Sequence, residues 1–194
     1  MAFAFSPVAF GSSPTDLLIG LLKGINFFSA RYDQLGESSE QSGQFWLGRP
    51  DRFRLKAFAP ISQTIVSDGQ NLWIYDLDLE QVIITPLHRD SGNIPLLLFA
   101  SNPEKLKTNY NIEYYEDEER QHFVLSPLEQ MDVIGKISLS FSSKLPDQLV
   151  FQTPSQELTV FKFHNVSTVP LDPLIFNFEI PEGIDVIDDR KGTN

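Results

Sequence analysis

GQFWLGRPDRFRLKAFAPISQTIVSDGQNLWIYDLDLEQVIITPL, residues 43–87, decides the fold. Phe45 and Leu47 alternate with Gln44 and Trp46. After a Gly48-Arg49-Pro50 break, Phe53, Leu55 and Ala57 alternate with Arg52, Arg54 and Lys56. Beyond Ala59-Pro60 come residues 63–66, a Ser67-Asp68-Gly69 turn, residues 72–75 and residues 81–85. A period of two punctuated by Gly, Pro and Asp-Gly predicts four or five consecutive antiparallel strands with one buried face. Such a sheet must lay its apolar side against something.

Working towards the N-terminus, residues 36–42 read as a polar hairpin loop containing Glu37-Ser38-Ser39. Residues 27–34 alternate Phe28, Ala30 and Tyr32 with Phe27, Ser29 and Arg31, a first strand. Ser13-Pro14-Thr15-Asp16 is a helix start, with Ser as cap, Pro at the first helical position and an acid soon after. The helix over residues 17–25 gathers Leu17, Leu18, Leu21, Leu22 and Ile25 on one broad face. Gly20 and Gly24 soften it by about 1 kcal/mol each relative to Ala, so packing on the sheet must hold it. Residues 1–11, MAFAFSPVAFG, are apolar but uncharged and too short to span a bilayer. They read equally as a signal-peptide tail, with small residues at Ala9-Phe10-Gly11, or as an unstructured N-terminus.

Working towards the C-terminus, residues 88–94 form a polar, turn-rich loop. Pro95 then opens Leu96, Leu97, Leu98, Phe99 and Ala100, apolar on every side. A short helix without a polar face must be covered by the rest of the protein, or serve as a lid over an apolar hollow. Asn102-Pro103-Glu104 caps a further turn through Leu106. Strands resume at residues 110–115, 121–125, 135–141, 148–152, 157–163 and 174–178. Glu116-Asp117-Glu118-Glu119 is a solvated hairpin tip, and residues 181–191 are a tail ending in a charged fray. About eleven strands and two or three short apolar helices fit one domain over residues 12–194. A sheet of that size curls or closes, so the fold class expected is mainly β: an unclosed antiparallel β-barrel with short α-helices over an apolar, ligand-sized cavity.

The composition excludes several functions. The 194 residues carry 15 basic and 26 acidic side chains, a formal charge of −11, so the basic stripe that nucleic acid demands is missing. The same charge opposes adhesion to anionic lipid. The absence of Cys removes disulfides, thiolate zinc sites, thiol catalysis and an N-terminal lipidated Cys. His88, His122 and His164 lack metal-ligand spacing, and no nucleophile elbow, phosphate loop or dinucleotide fingerprint is present. Asp76-Leu77-Asp78-Leu79-Glu80 resembles a calcium loop until Gln81, which stands where the sharp-turn Gly belongs. These acids read instead as the outer face of a hairpin. No catalytic residue, metal site or cofactor is therefore expected. Arg49, between two strands and among apolar neighbours, is either a surface residue or a guanidinium whose several donors bond backbone carbonyls of a lid.

At these residues the chain resembles the periplasmic outer-membrane lipoprotein carrier family. The resemblance is carried by G-x-F-x-x-x-R-P-x-x-F (Gly43, Phe45, Arg49, Pro50, Phe53), then P-x-x-Q-x-I-V-S-D-G-x-x-L-W-x-Y between Pro60 and Tyr75. It continues with L-E-Q (Leu79), S-G-N-x-P (Ser91), Tyr110 with Ile112, F-x-L-x-P (Phe123) and F-x-F-x-x-P-x-G (Phe176). It spans residues 13–191 and shifts residues 1–11 towards a truncated signal peptide. It implies a soluble periplasmic chaperone, acting as a monomer, that binds the acyl chains of lipoproteins. Its partners would be acylated lipoproteins, an inner-membrane lipoprotein-releasing ABC transporter and an outer-membrane lipoprotein receptor.

Carried over by position, Arg49 is the lid latch and Phe53 the contact for the transporter. Leu18, Leu21 and Leu22 of the first helix, with Phe28, Phe45 and Leu47, belong to the cavity. Ile94, Pro95, Leu96, Leu97, Leu98 and Phe99 belong to the lid. Leu55-Lys56 and residues 153–157 depart from the family's usual residues, which bears on partner contacts more than on the fold. The alternatives are a general periplasmic lipid-binding or envelope-stress sensing module with the same half-barrel, the receptor itself, which the missing Cys opposes, and a lipid hydrolase.

Overall fold

Five hairpin-linked strands occupy the quoted stretch in the computed structural model, which describes residues 12–36, 40–87, 100–129 and 135–191. They are β2 (Glu40–Gly48), β3 (Arg52–Ala57), β4 (Gln63–Asp68), β5 (Asn71–Asp76) and β6 (Gln81–Pro86), preceded by β1 (Phe27–Leu35). A second meander follows: β7 (Tyr110–Glu116), β8 (Gln121–Pro127), β9 (Lys136–Ser142), β10 (Leu145–Gln152) and β11 (Leu158–Ser167). β11 returns to pair with β1, and β1 with β2, so β1 joins the two meanders into one twelve-stranded sheet. Its edges are β7 and β12 (Asp185–Asp188).

Cross-strand partners show which face each residue takes. Phe53 opposes Leu47 and Ser67, while Leu55 opposes Phe45 and Ile65. Residues opposite each other share a face, and this set is buried. Leu72 of β5 and Ile112 of β7, near opposite ends of the strand order, belong to one apolar cluster with Leu18, Ile19 and Leu22. The sheet therefore curls around a helix. That helix is α1 (Pro14–Lys23), and Ser13 caps it by accepting the Asp16 N–H. It ends two residues before the predicted limit, with Gly24 as its C-cap.

The opposite, convex face is also covered in part. Val66, Trp73 and Ile84 lie side by side on β4, β5 and β6, and Tyr75 opposes Val82. Over them runs the segment predicted as a strand at residues 174–178. It is instead a 3₁₀ turn, Pro173–Phe176, capped by the Asp172 carboxylate, followed by extended chain. Its alternation is real but serves side-chain packing rather than a ladder. Phe176 is buried beneath the Arg52 guanidinium (5.4 Å to the ring centroid), and Phe178 packs on Trp73 and Tyr75. Arg54 ties the segment down through the Ile175 carbonyl (3.2 Å). The tail then adds β12 in parallel to β6, a strand the sequence did not reveal. No helix among the described residues is long and apolar enough to cross a membrane.

Candidate functional site

The β2–β3 turn delivers Arg49 to the place where the helical segments meet the sheet. Its Nε donates to the Ile25 carbonyl just beyond α1 (2.8 Å), and its Nη1 donates to the Ser101 carbonyl (2.5 Å). The Arg49 N–H donates to the Asn26 carbonyl and the Asp51 N–H to the Ala100 carbonyl, at 2.9 and 3.0 Å. One short turn thus fastens both the end of α1 and the start of the segment that leads back to β7. The planar guanidinium suits this because its donors diverge at fixed angles. Burial pushes its pKa down to about 10, partly opposed by Asp51, and it stays charged at neutral pH. Nη2 is buried and makes no hydrogen bond among the described residues, so the latch is incompletely satisfied.

Ile94, Pro95, Leu96, Leu97, Leu98 and Phe99, expected as lid, lie outside the described residues. Beyond them Ala100 is fully buried. Asn102 caps a 3₁₀ turn (Pro103–Lys105) that runs into α2 (Leu106–Asn109), much as its sequence indicates. Outside the apolar contact, charges join this segment to α1. Glu104 pairs with Lys23 (2.5 Å) and Lys107 (3.3 Å), and Lys107 pairs with Asp16 (3.2 Å). The bonds from Lys23 and then Lys107 hold Glu104 below its ordinary 4.5, and those from Ser13 and then Lys107 hold Asp16 below 3.8. Asp16 and Glu104 in turn raise Lys107 above 10.5.

Lowered acids contribute stability above their ordinary values and lose it as pH falls through the lowered ones. A raised lysine contributes below its ordinary value and loses it as pH rises through the raised one. The tie is therefore intact between about pH 5 and pH 10. Being exposed, it is weak and screened by salt. Glu104→Gln is expected to speed hydrogen exchange of the α1 amides about twofold at pH 7 and low salt, a difference that shrinks as pH falls through the lowered Glu104 pKa.

Beside α1 opens a cleft of about 600 Å³, and of the described residues expected to line a cavity only Leu21 borders it. One wall is Leu17, Gly20, Leu21, Gly24 and Ile25 of α1 and its end. The other is Gln121, Lys144, Leu145 and Thr168, from the near ends of β8, β10 and β11. Gly20 leaves part of this volume free, since a Cβ there would meet nothing within 4 Å. The far wall escaped sequence reading because only the curl of the sheet brings it opposite α1.

Leu21 lines the cleft, whereas Leu18, Leu22, Phe28, Phe45 and Leu47 are buried in the cluster under α1. Phe28 meets Phe163 edge to face at 5.5 Å, and Phe45 lies tilted against Phe53 at 6.4 Å. Phe53 itself is fully buried. Contact of its ring with another protein requires the face above it to be uncovered first.

One arrangement of catalytic type appears that the scattered histidines gave no hint of. His122 Nδ1 lies 2.9 Å from Ser140 Oγ, and its Nε2 lies 2.9 Å from the Asp117 carboxylate. The His122 bond, joined by the Glu119 and Arg120 N–H groups, pulls Asp117 down to about 2. His122 and Ser140 face each other across β8 and β9 on the side opposite buried Phe123 and Leu139. Ser140 is itself buried, none of the three lines the cleft, and Asp117 accepts from the backbone of its own turn. The trio braces the acidic hairpin tip.

The family model described as "Outer membrane lipoprotein carrier protein LolA" matches residues 23–179. A protein of Hahella chejuensis described as an outer-membrane lipoprotein carrier protein is 36% identical over 187 residues, 89% of this chain and 87% of that one. A protein of Chromohalobacter salexigens with the same description is 32% identical over 182 residues, 90% of this chain and 86% of that one. Among solved structures, an uncharacterized conserved protein from Thermus thermophilus shares the fold, with a TM-score of 0.64 at 12% identity over 91% of this chain and 99% of that one.

Proposed function

Because this chain belongs to the outer membrane lipoprotein carrier family, we propose that the cleft beside α1 and the apolar face beneath that helix receive the acyl chains of a lipoprotein. The chain is a lipoprotein chaperone, and the reading of a general lipid-binding or stress-sensing module is not favoured by relatives described as lipoprotein carriers. Beyond that, it works in the periplasm as a monomer. It takes cargo from an inner-membrane lipoprotein-releasing ABC transporter and passes it to an outer-membrane receptor without altering it chemically.

The observation that supports this reading most is the Arg49 clasp. A half-buried cation that holds α1 and the 100–109 segment by two carbonyls keeps an apolar face covered, yet lets go without leaving a void. Each methylene withdrawn from water gains about 0.8 kcal/mol, so fully dried acyl chains would be held too tightly to leave. Opening the clasp subtracts from that gain and keeps transfer reversible. Arg49 is thus the lid latch, and Phe53 becomes the transporter contact once α1 moves off the sheet. Leu96 and its neighbours are the remaining lid.

Titration with a triacylated lipopeptide at concentrations below its critical micelle concentration tests the reading. Saturable binding is expected, with the cargo recovered intact by mass spectrometry. Gly20→Ala is expected to bind normally and to be stabilised by up to about 1 kcal/mol, whereas Gly20→Phe, which fills the cleft, should weaken binding by about tenfold or more. Equal binding by folded Gly20→Phe protein places the cargo elsewhere, and hydrolysed cargo contradicts carriage without turnover.

A further inference from the structure

Two neighbouring turns hold large apolar side chains in solvent. Ile61, in the β3–β4 connection, is 54% exposed, and Leu77 and Leu79, between β5 and β6, are 43% and 70% exposed. The turns form one surface: the Leu77 N–H donates to the Ser62 carbonyl (3.0 Å) and the Ser62 N–H to the Asp78 carboxylate (3.4 Å). The Asp76 carboxylate accepts the N–H groups of Asp78 and Leu79, both at 3.0 Å, so the leucines project from a braced turn. Asp76, Asp78 and Glu80 alternate with them, and none of the three makes an ion pair among the described residues. The result is an apolar centre inside an acidic rim that no cation among the described residues pairs with.

We infer that this patch is a docking surface for a protein segment presenting lysine or arginine side chains around an apolar tip. Charge selects that occupant. The rim repels an anionic lipid surface, and a two-fold contact with a second copy would set acid against acid. Position suits it too. Arg49 lies in the β2–β3 turn, so in an antiparallel meander the β3–β4 and β5–β6 turns lie at the other end of the strands. A partner anchored there does not block the clasp, and its contact with Phe53 is a separate step at the other end of the strands. The choice of partner rests on the carrier reading, which makes the membrane-bound transporter and the receptor the proteins to test.

Two double variants, Leu77→Ser/Leu79→Ser and Asp78→Asn/Glu80→Gln, are compared with the unaltered chain for binding to the purified transporter in detergent and to the soluble receptor. Each variant is expected to keep its melting temperature and lipopeptide affinity and to bind at least one partner about tenfold more weakly. The acid variant should also show a flatter salt dependence. Unchanged affinity and salt dependence towards both partners overturns the inference. So does the absence of binding by the unaltered chain, self-association that the leucine variant abolishes, or binding to phosphatidylglycerol vesicles through the patch. Loss of lipopeptide binding by the unaltered chain would count against the carrier reading instead, and is read separately.

Discussion

Arg49→Leu protein is expected to take up lipopeptide as readily as the unaltered chain and to surrender it about ten- to a hundredfold more slowly. Leucine keeps the apolar bulk but loses the donors to the Ile25 and Ser101 carbonyls. Hydrogen bonds from a charged group are worth about 1.5–3 kcal/mol each. Desolvation of the guanidinium, visible in its lowered pKa and the orphaned Nη2, consumes part of that. A net closing bias of about 1.4–2.8 kcal/mol disappears, and every 1.4 kcal/mol is tenfold in the opposing equilibrium. Bound cargo no longer competes with reclosure, so the change falls mainly on dissociation. Transfer to receptor-bearing acceptors, followed in time, measures it. Arg49→Lys should fall between, because one ammonium cannot match the two-carbonyl geometry. Normal handover by folded Arg49→Leu protein would remove the clasp from the mechanism.

Gly43→Ala is expected to cost about 3 kcal/mol, the upper part of the overpacking range, and to lower the melting temperature by about 6–12 °C. Gly43 opposes Tyr32 on one side and Ala57 on the other, and the Tyr32 ring lies over it. An added Cβ would sit 2.2 Å from the Lys56 carbonyl oxygen and 2.6 Å from the Tyr32 hydroxyl. The first is backbone in the β2–β3 ladder and the second is 1% exposed, so neither yields cheaply. Burial also pushes the Tyr32 phenol up to about 12, so ionising it offers no relief near neutral pH. Thermal and urea melts monitored by circular dichroism report the loss. A melting temperature within 2 °C or so of the unaltered chain would mean the sheet relaxes around the methyl.

The elements legible in the sequence are those whose signal is local. The alternation in residues 43–87 produced β2 to β6, and Ser13 and Asn102 each cap the helical turn they were read to open. The acidic run at residues 116–119 closes the β7–β8 hairpin. What local pattern misses is the choice of partner. Leu174, Phe176 and Phe178 alternate like a strand, but Pro173 and the Asp172 cap bend the chain first, and the space left by Gly48 accepts Phe176. Asp185–Asp188 has charged ends, no buried residue and no alternation, yet pairs with β6 because that edge is open. For the site, Arg49 was readable as a many-donor group in apolar company. The specific carbonyls it holds were not, since Ile25 and Ser101 meet only once α1 is packed. Residues 94–99 lie outside the described residues and stay with the proposal.

The most direct measurement is a crystal structure of the chain bound to a triacylated lipopeptide. Acyl carbon is expected in contact with Leu17, Gly20 and Leu21, with α1 displaced from Phe45 and Phe53 and the Arg49 bonds to Ile25 and Ser101 broken. Acyl chains lying instead on the convex face against Trp73 and Phe178, with the Arg49 clasp closed and the cleft unfilled, would contradict that expectation.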